Sequence, residues 1–112
     1  MAKRQKSAFG QYLVEQIKTA GMSQEAFYTK VGIAKPYFYD LLKSAPPAEM
    51  QRKMVDVLDA QTGPDVDRQR KLFDLAAQER EEIPVDIREL LTADVTTWNV
   101  IRTKLGMIPN VD

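Results

Sequence analysis

Apolar residues recur along most of the chain at intervals of three or four, the spacing that lines one face of an α-helix. Phe9, Leu13 and Ile17 show this spacing near the start of the chain. No segment alternates apolar and polar residues as a half-buried strand does. The pattern therefore predicts an all-α protein.

The apolar stripes and the residues that start or stop helices divide the chain into seven predicted helices. Glycine or proline lies near most of the ends, because glycine tolerates a positive φ and proline cannot continue a helix. The predicted helices span residues 7–20, 23–32, 34–43, 48–60, 64–80, 83–91 and 94–105.

The second and third predicted helices have the pattern of a helix-turn-helix, in which two short helices pack across each other. Ser23 is the predicted N-cap of the first of these helices. Gly32 supplies a turn residue that is free of Cβ strain. The residues predicted to pack the two helices together are Phe27, Val31, Ile33, Phe38 and Leu41.

The third helix carries mainly polar side chains on the side opposite Phe38. A helix of this kind reaches base edges in the major groove of DNA, where lysine donates to guanine and aspartate accepts from cytosine. Tyrosine hydroxyls can bond backbone phosphates. The candidate DNA-contacting residues of this helix are Lys35, Pro36, Tyr37, Tyr39, Asp40 and Lys43.

Residues 22–42 resemble the Cro/repressor-type helix-turn-helix family, also called the XRE family. The resemblance rests on Ser23–Glu25 at the start of the second helix and on Val31–Ile33 at the turn. It covers residues 7–60 and implies a lambda-repressor-like head of about five helices, followed here by a short helical C-terminal extension. It also implies that Gln24 binds a phosphate at the N-terminus of the second helix.

The segment Lys35–Asp40 is also similar to a subgroup of this family from prophages and mobile elements of Gram-positive bacteria. Two positions depart from the family pattern. Tyr28 stands where alanine is usual, so the helix packing must open to admit a ring, and Leu42 stands where glutamate is common. Pro36 has no hydrogen-bonding side chain, so base reading rests on few residues, namely Lys35, Tyr39 and Asp40.

Charge is unevenly distributed although the chain is neutral overall. Residues 1–45 hold seven basic and three acidic residues, a net charge of +4, and the remainder has a net charge of −4. A polyanion is attracted to the first part, although an uneven distribution of charge of this size can also arise by chance. The basic N-terminal arm of Lys3, Arg4 and Lys6 either contacts DNA or is a disordered, solvated terminus whose charge has no specific partner.

Composition excludes several kinds of site. The chain has no cysteine and no histidine, which excludes disulfides, thiolate metal sites and histidine-based catalysis. No nucleophile–base pair, phosphate-binding glycine loop or zinc spacing is found. The acidic run Glu79–Glu82 contains Arg80, which predicts a solvated face rather than a metal site. We expect a non-enzymatic cytoplasmic protein with no cofactor, no metal, no membrane span and no export signal.

Residues 63–112 form the predicted extension, after a DNA-binding head at residues 1–62. In the fifth helix, Val66, Phe73 and Ala77 form the predicted inner stripe, and the leucines of that helix point away from it. Twofold dimers are the commonest oligomers, and a dimer places two recognition helices about 34 Å apart on a palindromic operator. We therefore expect a homodimer, and its predicted contacts are Leu72, Leu75, Trp98 and Ile101.

Two functions fit these features. The first, which we expect, is a sequence-specific transcriptional regulator, a repressor from a phage or mobile element, since repression requires only that an operator be occupied. The second is a protein-interaction module on the same fold, such as an antitoxin, an anti-CRISPR-like inhibitor or a viral adaptor. Zero net charge and the few base-reading residues favour the second. A steep salt dependence of DNA binding would favour the first.

Overall fold

The seven helices predicted from the sequence are all present, and their ends lie within two residues of the predicted ones. A computed structural model describes residues 5–108 of the chain. Helices are the only regular secondary structure of these residues, so the protein is all-α over that range. The helices are α1 (Ala8–Thr19), α2 (Gln24–Val31), α3 (Lys35–Lys43), α4 (Ala48–Thr62), α5 (Val66–Arg80), α6 (Val85–Ala93) and α7 (Thr96–Lys104).

Local sequence explains where several of these helices begin and end. The hydroxyl oxygens of Ser7 and Ser23 accept hydrogen bonds from backbone N–H groups three residues further on, at 3.1 and 3.0 Å. The carboxylate of Asp65 caps α5 in the same way, at 3.0 Å. Gly32 has a φ of 92° and ends α2. The predicted N-cap at Ser23 and the predicted turn glycine at Gly32 are therefore both confirmed.

One hydrophobic core joins α1, α2, α3, α4, α5 and the first residue of α6. Leu72 and Phe73 of α5 belong to it, with side chains that are 2% and 0% exposed. The predicted boundary between a head at residues 1–62 and an extension at residues 63–112 lies within this core, which has residues on both sides of it. The physical reason is that α5 packs against both α1 and α4 and completes the helical bundle.

The face that α5 turns to the core differs from the predicted stripe. Phe73 and Ala77 are buried as expected, but Val66 is 74% exposed. Leu72, which was expected to point away from the stripe, is buried. Because α5 contacts two neighbouring helices rather than one, its buried arc is wider than a single stripe.

A buried ion pair fixes the start of α5 against the end of α4. The Arg68 side chain is 6% exposed, and its Nη2 lies 2.6 Å from Oδ1 of Asp59. Its Nη1 donates to Oγ1 of Thr62 at 2.8 Å, and its Nη2 also donates to the carbonyl oxygen of Gly63 at 3.3 Å. The second oxygen of Asp59 accepts from Nε2 of Gln69 at 2.6 Å. The polar groups of this helix connection therefore satisfy one another, except Nε of Arg68, which has no hydrogen-bond partner among the described residues.

The acidic run at the end of α5 also holds the loop between α3 and α4. The backbone N–H of Ala45 donates to Oε1 of Glu79 at 2.9 Å, and Nη1 of Arg80 donates to the carbonyl oxygen of Ala45 at 3.1 Å. Nε of Arg80 also donates to Oε1 of Glu82 at 3.0 Å. The three glutamates of the run are exposed, as expected for a solvated face, and Glu79 and Arg80 in addition secure the loop that follows α3.

The last two helices lie largely outside the core. Val85 is the only buried residue of α6, and α7 has none. α6 packs against α4 and α5, whereas α7 packs extensively against no other helix of the described chain. Nε1 of Trp98 donates to the carbonyl oxygen of Leu91 at 2.6 Å, which links α7 to α6. None of the helices within residues 5–108 has the length and hydropathy needed to cross a membrane.

Candidate nucleic-acid interface

Aromatic side chains pack α2 against α3. Phe27 and Phe38 are fully buried, and their rings meet edge to face with centroids 6.0 Å apart. The half-buried Tyr28 ring packs on Phe38 with a centroid distance of 5.4 Å, so the ring is accommodated beside the helix pair. The predicted packing residues are buried except Ile33, which is half-buried. Edge-to-face and tilted aromatic pairs of this kind stabilise a fixed helix arrangement.

The backbone of α3 lies directly against the start of α1. The N–H of Ser7 donates to the carbonyl oxygen of Leu42 at 2.9 Å. A Cβ at Gly10 would lie 1.9 Å from the same oxygen, so only glycine permits this approach. The Leu42 side chain is 1% exposed, so this position of α3 faces the core.

The outer face of α3 is open to solvent. Tyr37 and Tyr39 are 42% and 38% exposed, and Lys43 is half-buried. α3 packs against α1 and α2, and the C-terminal helices leave this face uncovered. Among the residues that the structure describes, no salt bridge engages the charged groups of α3. The exposed side chains on this helix are those of Lys35, Pro36, Tyr37, Tyr39 and Asp40.

A groove of about 530 Å³ beside α3 brings together residues that were predicted from separate parts of the chain. Its lining includes Lys6 of the basic arm, Gln24 of α2 and Tyr39 and Lys43 of α3. Gln24 is the first residue of α2, and a helix N-terminus carries partial positive charge. Two lysines beside a helix N-terminus suit an anionic group such as a phosphate.

The remaining arm residues, Lys3 and Arg4, lie outside the described residues. The structure adds Gln11 to the groove, and its Nε2 donates to the carbonyl oxygen of Lys6 at 3.3 Å. Sequence reasoning missed Gln11, because its place beside α3 depends on how α1 and α3 dock rather than on any local motif.

The four predicted dimer contacts occupy different environments. Leu72 lies in the core of its own chain, because α5 packs on α1 and α4. It offers no surface to a partner, so its prediction as a dimer contact was wrong. Leu75 is half-buried against the same core. Trp98 and Ile101 are 42% and 36% exposed and remain available for contact.

Over residues 5–108, no cluster of three or more side chains of the metal-binding types is placed to hold a metal ion. Comparisons of the chain with protein-family models, with curated proteins and with solved structures found no match. The outer face of α3 and the adjoining groove form the candidate functional site.

Proposed function

We propose that the protein binds double-stranded DNA through α2, the turn at Gly32 and α3, as a lambda-repressor-like helix-turn-helix. The observation that supports this most directly is the outer face of α3, which is uncovered and rich in polar and aromatic side chains. A helix is about 10–12 Å across and fits the major groove, which is about 12 Å wide. Backbone contact with α1 and aromatic packing against α2 hold this helix in one orientation.

The side chains divide into two roles under this proposal. Lys35, Tyr39 and Asp40 lie on the exposed face, where lysine donates to guanine and aspartate accepts from cytosine. Lys6 and Lys43 line the groove at the start of α2 and contact phosphates. The net charge of +4 over residues 1–45 attracts the DNA to this side of the protein.

The proposed biological role is transcriptional regulation in the cytoplasm, as a repressor of a phage or mobile element that occupies an operator. Repression of this kind needs no catalytic group, because a bound protein blocks access to the promoter. The role is consistent with the exposed polar side chains of α3 and with Lys6 and Gln24, which line the adjoining groove.

Replacement of Lys35 by glutamate is expected to abolish sequence-specific DNA binding. The change removes a donor to a base edge and places a negative charge in the groove, which together weaken binding about 100-fold or more. Selection from a random DNA pool first identifies the preferred sequence, and fluorescence anisotropy then measures the affinity of each variant for it.

Lys53→Glu is the matched control, because Lys53 is exposed on α4 and the change in charge is the same. It should leave the affinity within a few-fold of the original. Selection of no preferred sequence by the unmodified protein, or an equal loss in both variants, would contradict the proposed interface.

Replacement of Lys43 by glutamine should weaken binding to all DNA sequences alike. A lysine that neutralises one phosphate adds about 1 to the slope of log affinity against log salt concentration for each bound chain. Titrations at several salt concentrations should therefore show a shallower slope for this variant and an unchanged slope for Lys53→Gln. A changed sequence preference would assign Lys43 to base reading instead.

The apolar side chains that α6 and α7 expose favour a second candidate function, a protein-interaction module on the same fold. The overall charge of zero also favours it. This candidate makes the opposite prediction for the selection experiment. No DNA sequence would be enriched, and the protein would form a stable complex whose affinity is unaffected by Lys35→Glu.

A further inference from the structure

Pro36 occupies the middle of the outer face of α3. The buried side chains of this helix are those of Phe38, Leu41 and Leu42, and together they define its inner face. With about 3.6 residues per turn, Pro36 lies closer than any other residue of α3 to the direction opposite that face. Pro36 is exposed. An apolar ring therefore stands where α3 projects furthest from its own core.

The chemistry of the ring restricts what this position can recognise. Proline has no backbone N–H, and its side chain neither donates nor accepts a hydrogen bond. In the major groove, the only apolar group that differs between base pairs is the C5-methyl group of thymine. The other sequence-dependent groups there are hydrogen-bond donors and acceptors. An apolar side chain that enters the groove therefore discriminates among base pairs through this methyl group.

The two ends of α3 have different surroundings. Lys43 lies two turns after Pro36 on the same face, about 10 Å further along the helix axis. It lines the groove with Lys6 and Gln24, where the proposed contacts are to phosphates. Pro36 lies in the first turn of α3 and does not line this groove. The first turn is thus the part of α3 that is free to reach the bases.

Asp40 supports the same division of α3. It is exposed one turn after Pro36, and no salt bridge engages it among the described residues. The phosphates of DNA repel a carboxylate, so this side chain is favourable at the interface only beside a base donor such as N4 of cytosine. Pro36 and Asp40 together form a short surface that suits base edges rather than the sugar-phosphate backbone.

We propose, on the basis of the DNA-binding function proposed for α3, that Pro36 reads the C5-methyl group of a thymine in the major groove. The contact is apolar and determines specificity without a hydrogen bond. The thymine lies within about two base pairs of the cytosine that donates to Asp40. This spacing follows because four residues of a helix span about 6 Å and stacked bases lie about 3.4 Å apart.

Removal of single methyl groups from the DNA tests this contact on the unmodified protein. Each thymine of the sequence selected from a random pool is replaced in turn by deoxyuridine, which lacks only the methyl group. Fluorescence anisotropy should show binding about fourfold weaker at one thymine for each bound chain, the effect of losing the burial of one methyl group. If no thymine shows this loss, the methyl contact is wrong although DNA binding stands. If no sequence is selected, the proposed function is wrong as well.

Pro36→Ala tests whether this residue makes the methyl contact. Alanine is compatible with the first turn of a helix but removes most of the ring, so the variant should bind thymine and deoxyuridine DNA with nearly equal affinity. Pro47→Ala is the matched control, because Pro47 is also an exposed proline at a helix N-terminus and lies outside the site. It should retain the fourfold difference, and thermal melts should show that both variants fold.

Proline in the first turn also favours the start of a helix. If this were the whole role of Pro36, the alanine variant would bind both DNAs more weakly by the same factor. The fourfold difference would then remain, and this result would overturn the assignment to Pro36.

5-Methylcytosine separates the methyl group from the rest of the base, because it carries a methyl group at the same ring position as thymine. The sensitive thymine is replaced by cytosine in one DNA and by 5-methylcytosine in another. The unmodified protein should bind the methylated DNA about fourfold more tightly than the unmethylated one, and Pro36→Ala should not distinguish them. Equal binding of the two DNAs by the unmodified protein would overturn a contact with the methyl group.

Discussion

A single methyl group at Gly10 is expected to destabilise the protein by about 2 kcal/mol or more. A Cβ at this position would lie 1.9 Å from the carbonyl oxygen of Leu42 and 2.6 Å from its carbonyl carbon. Both atoms belong to the backbone of α3, so no side-chain rotation relieves the clash. In an unconstrained helix, alanine in place of glycine stabilises by about 1 kcal/mol, and the clash must outweigh this gain.

The measurement is denaturant unfolding of the Gly10→Ala protein, with a thermal melt beside it. A loss of this size lowers the melting temperature by about 10 °C in a domain of about 100 residues. Glu15→Ala is the control, because Glu15 is exposed on the same helix and its replacement should change stability by less than about 0.5 kcal/mol. An alanine variant at position 10 that is more stable than the original would show that α1 and α3 are not in backbone contact.

The same variant links the fold to the proposed function. The contact between Gly10 and Leu42 sets the distance of α3 from α1. A shift of α3 also changes the groove shared by Lys6, Gln24 and Lys43. At a temperature where Gly10→Ala is still folded, we therefore expect weaker DNA binding without any change in a residue that contacts DNA.

The helices could be predicted because their signals are local. Spacing of apolar residues, the N-cap at Ser23 and the positive φ of Gly32 depend on a few neighbouring residues, and each is confirmed. The exposed face of α3 could be predicted for a similar reason. Once Phe38 faces the core, the geometry of the helix determines which side chains face outward.

The arrangement of the helices could not be predicted in the same way. The burial of Leu72 depends on α5 packing between α1 and α4, which brings together segments that are distant in the sequence. The groove at α3 likewise depends on Lys6, which precedes α1, and Gln24, the first residue of α2, lying beside the same helix. Arg68 gives no signal in the sequence, since it stands among polar residues and its partner Asp59 precedes it by nine positions.

Replacement of Arg68 by alanine is expected to destabilise the protein by about 3 kcal/mol, the lower end of the range for breaking a buried ion pair. The change removes the partner of Asp59 and the donors to Thr62 and Gly63. The lower end applies because the Asp59 side chain is 17% exposed and keeps the hydrogen bond from Gln69, so water and this amide still solvate it. Denaturant unfolding measures the loss.

The exposed pair of Arg70 and Asp67 is the control, with side chains that are 64% and 87% exposed. Arg70→Ala should cost less than about 0.5 kcal/mol, because water already screens that pair. A loss at Arg68 no larger than this would mean that the ion pair does not fix α5 to α4.

The double variant Arg68→Met with Asp59→Leu separates the cost of an unpaired charge from the value of the pair. Removing both charges avoids a buried carboxylate without its partner, so stability should return to within about 1 kcal/mol of the original. Nε of Arg68 has no hydrogen-bond partner among the described residues, so replacement by methionine removes no hydrogen bond at that position of the side chain. A double variant as unstable as Arg68→Ala would instead show that the hydrogen bonds to Thr62 and Gly63 are what hold the connection between α4 and α5.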